Sequence, residues 1–182
     1  GKIAERYGIE FYHRDAELAN SQARSDDVVA DFMPRYDGDI LAWVNPIAPL
    51  QPADEVRDVI NYFIDRELDS LITVKNEQVH CLYDGEPVNF NVTGLFAKTQ
   101  DLMPVQSMVY SMMVWRYSSF LAHYSAHGYA LLSGRVGYYP VCRDSTIILK
   151  HEEDLRMAAA VLQARDADEA PAYDPIVKGV SD

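Results

Sequence analysis

The chain has few cysteines and no long apolar run. Only Cys81 and Cys142 occur among its 182 residues, too few for the disulfide framework that holds small secreted domains together. No apolar stretch approaches the roughly 18 residues of a transmembrane helix, and the first residues do not read as a secretory signal. These absences predict a cytoplasmic protein with no membrane partner.

Basic residues are also scarce. The sequence has 16 Lys and Arg against 28 Asp and Glu, which gives a formal net charge of −12. Such a chain is repelled by polyanions, so we expect no nonspecific binding to nucleic acid or to anionic membranes. With 48% hydrophobic and 24% charged residues, the composition is typical of a folded globular protein and too apolar for a disordered one.

The first 75 residues alternate between helical and strand patterns. Apolar runs at residues 40–44 and 71–74 predict strands that are buried on both faces. Between them, Pro52 opens a helix with an apolar stripe that extends to residue 64. An alternating aromatic segment at residues 9–13 predicts a further short strand. This order predicts an α/β fold with a mainly parallel sheet.

The second half is less regular. Its predicted elements are a hairpin around residues 84–87, a strand within 108–115, a helix over 118–127 ended by Gly128, strands at 136–141 and 146–149, and a helix from 152 to about 164. We therefore expect one domain over residues 1–165, followed by an acidic flexible tail over residues 166–182.

General motifs do not reveal a chemistry. The sequence contains no glycine-rich phosphate loop of the Walker or Rossmann type and no Ser/His/Asp signature. His123 and His127 have the spacing of two metal ligands on one helical face, but no third ligand is evident. They are either part of a zinc site or two partly exposed histidines.

Several short sequence blocks follow one another in a characteristic order. The blocks are Arg14–Ala19, Asp27–Val29, Val44–Leu50, Asp69–Val74, Pro87–Asn91, Lys98–Leu102 and Glu152–Leu155. In this order, from Ile3 to about Leu162, the sequence resembles the acylneuraminate cytidylyltransferases, which activate nine-carbon sugars of the sialic-acid type as CMP-sugars.

The resemblance implies a Rossmann-like α/β/α nucleotidyltransferase fold and a homodimer whose contact includes the irregular middle segment. It also implies CTP and a nonulosonic (sialic-acid-like) sugar as substrates, with Mg²⁺ as cofactor. By the same resemblance, Arg14 would face the nucleotide, Asn45 would lie near both substrates, and Gln100 would approach the sugar. Lys98 is a further candidate cation for the phosphates. Alternatively, Arg14 forms a surface ion pair, and Asn45 forms only a turn before Pro46.

The chain departs from this family in the motifs that bind the nucleotide and the metal. The strand and Gly/Ser/Arg/Lys-rich loop with which the family begins have no counterpart, so we expect residues 1–165 to lack the usual phosphate-binding segment. Ile148 and Lys150 stand where two Mg²⁺ carboxylates are expected, which puts the metal ligands in doubt. We therefore expect a catalytic Lys150 that supplies part of the charge of the metal. The alternative is a weakly active or inactive module of the same fold that binds a nucleotide sugar or forms a dimer.

Overall fold

A four-stranded sheet lies at the centre of the computed structural model, which describes residues 1–166. Its strands are β1 (Ile40–Val44), β2 (Ser70–Glu77), β5 (Val105–Arg116) and β6 (Val136–Pro140), while β3 (Leu82–Tyr83) and β4 (Glu86–Pro87) form a separate hairpin. The spatial order is β1-β5-β2-β6. β2 pairs in parallel with β6, and β5 runs antiparallel to both β1 and β2. Three of the four strands thus share one direction, which confirms the predicted α/β fold with a mainly parallel sheet.

Helices cover both faces of this sheet. They are α1 (Lys2–Arg6), α2 (Ser25–Phe32), α3 (Ala53–Asp65), α4 (Tyr117–His127) and α5 (Glu152–Asp166). On one face, Val59 and Phe63 of α3 pack with Leu71 of β2. On the other face, Val29 of α2 and Phe120 of α4 belong to a second apolar cluster. The result is the three-layer α/β/α arrangement that the resemblance implies.

Two of the predicted strands are wrong. Residues 9–13 form no strand and pair with no strand of the described chain, and Ile9 and Phe11 are 63% and 54% exposed. Thr146 ends a 3₁₀ turn (Asp144–Thr146), and residues 147–149 form one ladder-like bond, from Leu149 N to Ile47 O at 2.8 Å. An alternating pattern is not sufficient, because a strand forms only where a neighbouring strand satisfies its backbone.

The burial predicted for β1 also needs correction. Residues 71–74 of β2 are at most 1% exposed, as expected for a strand between two others. β1 pairs only with β5, so residues 40–43 are half-buried and Val44 is 45% exposed. Both runs are continuously apolar, and their burial differs because one strand lies at an edge of the sheet and the other in its interior.

The segment between β2 and β5, residues 78–104, is called the insert below. Its hairpin turns at Asp84 and Gly85, both with positive φ (50° and 83°), the backbone that two-residue hairpin turns require. The turn was predicted over residues 84–87, but Glu86 and Pro87 belong to β4. At the other predicted turn, Gly128 ends α4 in the left-handed conformation, as expected for a helix C-terminus.

Within residues 1–166, no helix is both long and apolar enough to cross a bilayer. The tail predicted from residue 166 onward lies outside the described residues.

Asp69 joins the start of β2 to two other elements. Its Oδ2 accepts the backbone N–H of Arg135 at 2.8 Å, and its Oδ1 accepts the hydroxyl of Ser119 in α4 at 2.5 Å. Gly134 must be a glycine here, since a Cβ at this positive-φ position would lie 2.4 Å from Oδ2. The hydrogen bond from Arg135 N, together with that from Ser119, lowers the pKa of Asp69.

This lowered pKa predicts an acid-dependent loss of stability. The folded pKa lies below the unfolded value of about 3.9, so the stabilisation is complete above about pH 4 and is lost as the pH falls through the folded pKa. We expect the urea midpoint of the parent protein to fall more steeply between about pH 4 and pH 2 than that of Asp69→Asn, which keeps the shape but does not ionise. Parallel pH profiles for the two proteins would contradict this role.

Candidate functional site

The candidate site lies where the parallel strands end. β1, β2 and β6 share one direction, so the residues that follow Val44, Glu77 and Pro140 meet at one edge, called the carboxyl edge below. In open α/β sheets, ligands bind outside this edge. Three neighbouring depressions lie along it, and shared residues connect them.

The central depression, the Asn45 pocket, has a volume of about 290 Å³. It is lined by Ser25, Trp43, Asn45, Ile47, Tyr110 and Met113. Asn45 directly follows β1, and its backbone N–H donates to Ser111 O at 2.8 Å. Its Oδ1 accepts the N–H of Ile47 at 3.3 Å. Asn45 therefore forms the turn before Pro46 and also lines the pocket, so the two readings of this residue are compatible.

A second depression, the Lys150 groove, has a volume of about 530 Å³ and shares Tyr110 with the Asn45 pocket. Its ionisable lining residues include Lys75, Glu77, Lys150, His151 and Asp154. The bond from Leu149 N to Ile47 O holds the segment before α5 against the turn after β1. This contact brings Lys150 to the same edge as Asn45, although 105 positions separate them in the sequence.

The backbone around Lys150 is fixed, while its side chain is exposed. Asp154 Oδ2 accepts the backbone N–H groups of Lys150 and His151, both at 2.8 Å, and these bonds lower the pKa of Asp154. Such a carboxylate caps the first turn of a helix. Lys150 therefore lines the groove with an exposed side chain on a backbone that Asp154 holds in place.

The carboxylates at this groove do not form a metal site. Glu77 Oε1 lies 2.7 Å from Lys75 Nζ, and Asp154 is occupied by the two backbone N–H groups. Across residues 1–166, no three His, Cys, Asp or Glu residues are grouped so that they could hold a metal ion. Mg²⁺ held by protein carboxylates does not fit this donor set, in which two lysines occupy the groove.

The third depression, the Arg14 groove, has a volume of about 390 Å³ and shares Trp43 with the Asn45 pocket. It runs along β1 and is lined by Tyr12, Arg14, Val28, Val29, Phe32 and residues 41–44. Arg14 is exposed at this groove. Tyr12 is tied to Asp31 by a hydrogen bond, and burial together with this bond raises the pKa of Tyr12 to about 12.

Lys98 and Gln100 lie apart from these depressions. Both are exposed in the insert, at a 3₁₀ turn (Thr99–Asp101), and neither lines any of the three. The backbone carbonyl of Gln100 accepts Gln78 Nε2 at 2.9 Å. The structure thus brings Asn45 and Lys150 to connected depressions, places Arg14 in the next one, and leaves Lys98 and Gln100 as predictions in the insert.

Sequence reasoning missed Tyr110 and Lys75. Tyr110 lies in a continuous apolar run, and its exposure depends on a local departure of β5 from regular pairing. The pairing changes register between Ile72 (opposite Met113) and Val74 (opposite Met108), so residues 109–112 bulge around Thr73. For Lys75 a signal existed, since it directly follows the apolar run 71–74, and ligands bind at the carboxyl ends of parallel strands.

The bulge is held by one buried hydroxyl. Thr73 Oγ1 donates to Val109 O at 2.5 Å and accepts the N–H of Met112 at 3.1 Å, and it lies 3.0 Å from Ser111 Oγ. Thr73 and Ser111 are fully buried. On the other side, Ser111 O accepts Asn45 N. Bulges redirect side chains beside functional sites, and this one directs Tyr110 into the site.

The histidine pair on α4 does not form a complete metal site within the described chain. The rings of His123 and His127 are 4.4 Å apart, as their spacing predicts, but no third His, Cys, Asp or Glu of residues 1–166 joins them. The zinc alternative thus has two of the ligands it needs.

Comparisons with known proteins concern the fold. Neither the family models nor the curated proteins gave a match. Among solved structures, 4-diphosphocytidyl-2C-methyl-D-erythritol synthase from Anaerococcus prevotii is similar, with a TM-score of 0.59 at 14% identity over 89% of this chain and 72% of that chain. This likeness establishes the fold. The nine-carbon sugar acid implied by the sequence blocks stays a prediction, because the name of the similar protein refers to a methylerythritol product.

Proposed function

We propose that this chain is a cytidylyltransferase that transfers CMP from CTP to a sialic-acid-like sugar acid. The oxygen of a sugar hydroxyl attacks the α-phosphorus of CTP and loses its proton to water, the bond from that phosphorus to the bridging oxygen breaks, and pyrophosphate leaves. The observation that carries the proposal is the carboxyl edge itself, where an aromatic pocket beside Asn45 opens into a groove with two lysines. The name of the structural neighbour, which denotes a diphosphocytidyl product, supports the same chemistry.

The two connected depressions suit the two parts of a nucleotide. Trp43 and Tyr110 offer aromatic faces to a planar base. Lys150 lines the groove that shares Tyr110, where its positive charge would stabilise the negative charge that develops on the departing pyrophosphate, and Lys75 lies in the same groove, paired with Glu77. Arg14, Lys98 and Gln100 are proposed substrate contacts by resemblance. Of the three, Arg14 lines a groove that shares Trp43 with the Asn45 pocket.

The experiment is a pyrophosphate-release assay with CTP and a panel of acceptors. The panel holds nine-carbon sugar acids of the sialic-acid type and a phosphorylated methylerythritol, with ATP, GTP and UTP as alternative donors. We expect release with CTP and a sugar acid, accompanied by a CMP-sugar of the corresponding mass. Release with the methylerythritol compound alone would reject the sugar acid but keep the cytidylyl transfer.

The second candidate function is a module that binds the nucleotide without turnover. It is favoured by the donor set at the Lys150 groove, where Glu77 and Asp154 are already engaged. The same assay separates the two functions when it is combined with calorimetry. CTP binding without pyrophosphate release for any acceptor would favour the binding module.

The insert is the surface that we propose for a homodimer. It carries large apolar side chains that are exposed in the single chain: Val79, Leu82, Tyr83, Val88, Val92, Leu95, Phe96 and Met103. Leu95 is 99% exposed. Exposed apolar groups on this scale are typical of protein interfaces, and a second copy would cover them.

A further inference from the structure

One carboxylate holds the start of the loop that carries Lys150. This loop, residues 141–151 between β6 and α5, is called the β6–α5 loop below. Glu55 lies in the first turn of α3 and is half-buried. Its Oε1 accepts the backbone N–H of Cys142 at 2.6 Å, and its Oε2 accepts the hydroxyl of Ser145 at 2.5 Å. Both carboxylate oxygens of Glu55 are therefore engaged by the β6–α5 loop.

The same carboxylate also bonds to the loop after β1. Gln51 Nε2 donates to Glu55 Oε2 at 3.1 Å, and Gln51 N donates to Ala48 O at 3.4 Å. Ala48 N in turn donates to Asn45 O at 3.0 Å. Glu55 thus joins the loop that contains Asn45 to the loop that contains Lys150, and these two loops form opposite parts of the candidate site.

The helix dipole does not account for this arrangement. Asp54 is the other acid in the first turn of α3, and it is exposed and paired with Arg57 at 2.7 Å. The dipole favours an acid in a first helical turn whichever way its side chain points. Glu55 instead bonds to groups 87 and 90 positions away along the chain. Ser145 is fully buried, so its hydroxyl needs this acceptor.

The far end of the β6–α5 loop makes the contact that places Lys150. Ser145 belongs to the 3₁₀ turn Asp144–Thr146, and only three residues separate it from Leu149. Leu149 N donates to Ile47 O at 2.8 Å. Because so short a chain has a limited reach, a fixed Ser145 restricts where Leu149 can lie. A restraint at the start of the loop is thus passed on to Lys150.

We propose that Glu55 is a positioning residue for Lys150. By holding the start of the β6–α5 loop, it keeps Leu149 bonded to Ile47 and so keeps Lys150 at the same edge as Asn45. Glu55 lines none of the three depressions at the carboxyl edge, so it acts through the loop and not on the substrate. Its effect on turnover rests on the proposed function, whereas its effect on the loop does not.

A second link between the two loops is weaker. Arg165 of α5 donates to Asp144 Oδ2 at 2.5 Å and to Leu50 O at 3.3 Å. The side chains of Arg165 and Asp144 are 39% and 38% exposed, and ion pairs open to solvent contribute little to stability. The bonds of Glu55 include one to a fully buried hydroxyl. We therefore assign the main restraint on the loop to Glu55.

Hydrogen exchange tests this restraint without reference to activity. In Glu55→Ala we expect amide exchange at Leu149 to quicken by about tenfold or more relative to Leu71, a core residue of β2. Exchange at Cys142 should quicken as well, because its acceptor is removed. Quickening confined to Cys142 would overturn the proposal, since the contact of Leu149 would then persist without Glu55.

A conservative variant and a matched control accompany this measurement. Glu55→Gln should keep most of the protection at Leu149, because its amide can accept from Cys142 N and donate to the hydroxyl oxygen of Ser145. Asp54→Ala removes an acid from the same helical turn but no bond to the loop, so exchange at Leu149 should be unchanged. Equal quickening at Leu149 in Asp54→Ala would overturn the proposal.

Ser145→Ala keeps the test available if Glu55→Ala does not fold. This substitution removes one bond to the loop and leaves Glu55 bonded to Cys142. We expect exchange at Leu149 to quicken by a smaller factor than in Glu55→Ala. Unchanged exchange at Leu149 in a folded Ser145→Ala protein would overturn the proposal.

Turnover tests whether the restraint matters at the site. In the pyrophosphate-release assay, Glu55→Ala should lower kcat by about tenfold or more with little change in the KM for CTP, since a misplaced Lys150 affects the departing pyrophosphate. In a Lys150→Ala background the same substitution should have no further effect, and additive losses would overturn the proposal. A parent protein that releases no pyrophosphate with any acceptor would reject the proposed function, and exchange at Leu149 would still decide whether Glu55 positions the loop.

Discussion

Replacing Lys150 with Ala is expected to lower the rate of pyrophosphate release by about 10²–10³-fold, the range found when one charge-stabilising group is removed from an active site. Lys150 is exposed at the groove, and its backbone N–H, not its side chain, bonds to Asp154. The substitution therefore removes the ammonium group without disturbing the start of α5. The unfolding midpoint should be unchanged, and Lys2→Ala, an exposed lysine on α1, is the matched control.

Turnover measured in the presence of a chelator shows whether Lys150 supplies positive charge that a metal ion would otherwise provide. We expect the parent protein to keep its turnover in EDTA and Lys150→Ala to have none there. Lys150→Arg, which keeps the positive charge, should retain part of the rate, although its planar group does not place that charge as an ammonium does. Turnover that requires Mg²⁺ in the parent and is indifferent to Lys150→Ala would reject this role.

The parts of the fold that the sequence predicts are those that depend on local pattern. The strands at residues 40–44 and 71–74 and the helix between them follow from apolar runs and from Pro52. Strand order is not local, so the two runs look alike although one strand lies at an edge and the other in the interior. The strand predicted at residues 9–13 fails for the same reason, because an alternating pattern does not determine whether a neighbouring strand pairs with it.

In the candidate site, too, some residues agree with local sequence pattern and others depend on tertiary contacts. The resemblance points to Asn45, and its position agrees with local pattern, because it directly follows a predicted strand and the ends of parallel strands meet at one edge. Lys150 depends on a tertiary bond, from Leu149 N to Ile47 O, that no spacing predicts. Tyr110 depends on the bulge of β5, which arises from a change of pairing register opposite Thr73. Periodicity carries no information about such a change.

Replacing Thr73 with Val is expected to lower the free energy of unfolding by about 2–4 kcal/mol, since the new side chain has nearly the same shape but no hydroxyl. Val109 O and Met112 N would lose their partner in a fully buried environment. An unsatisfied buried polar group costs more than the lost bond is worth, because it also keeps its desolvation penalty. Urea unfolding measures the loss, and Thr73→Ser, which keeps the hydroxyl, should retain most of the stability.

Thr73→Val also shows whether Thr73 only stabilises the fold or also holds Tyr110 in its place at the site. If the hydroxyl holds the bulge, amide exchange at Met112 in Thr73→Val should quicken by more than global unfolding accounts for. Tyr110 would then lose its fixed place between the Asn45 pocket and the Lys150 groove. CTP affinity should fall as well, and Thr73→Ser should restore it. A variant that loses stability but binds CTP as the parent does would show that Tyr110 keeps its place without the bulge contacts.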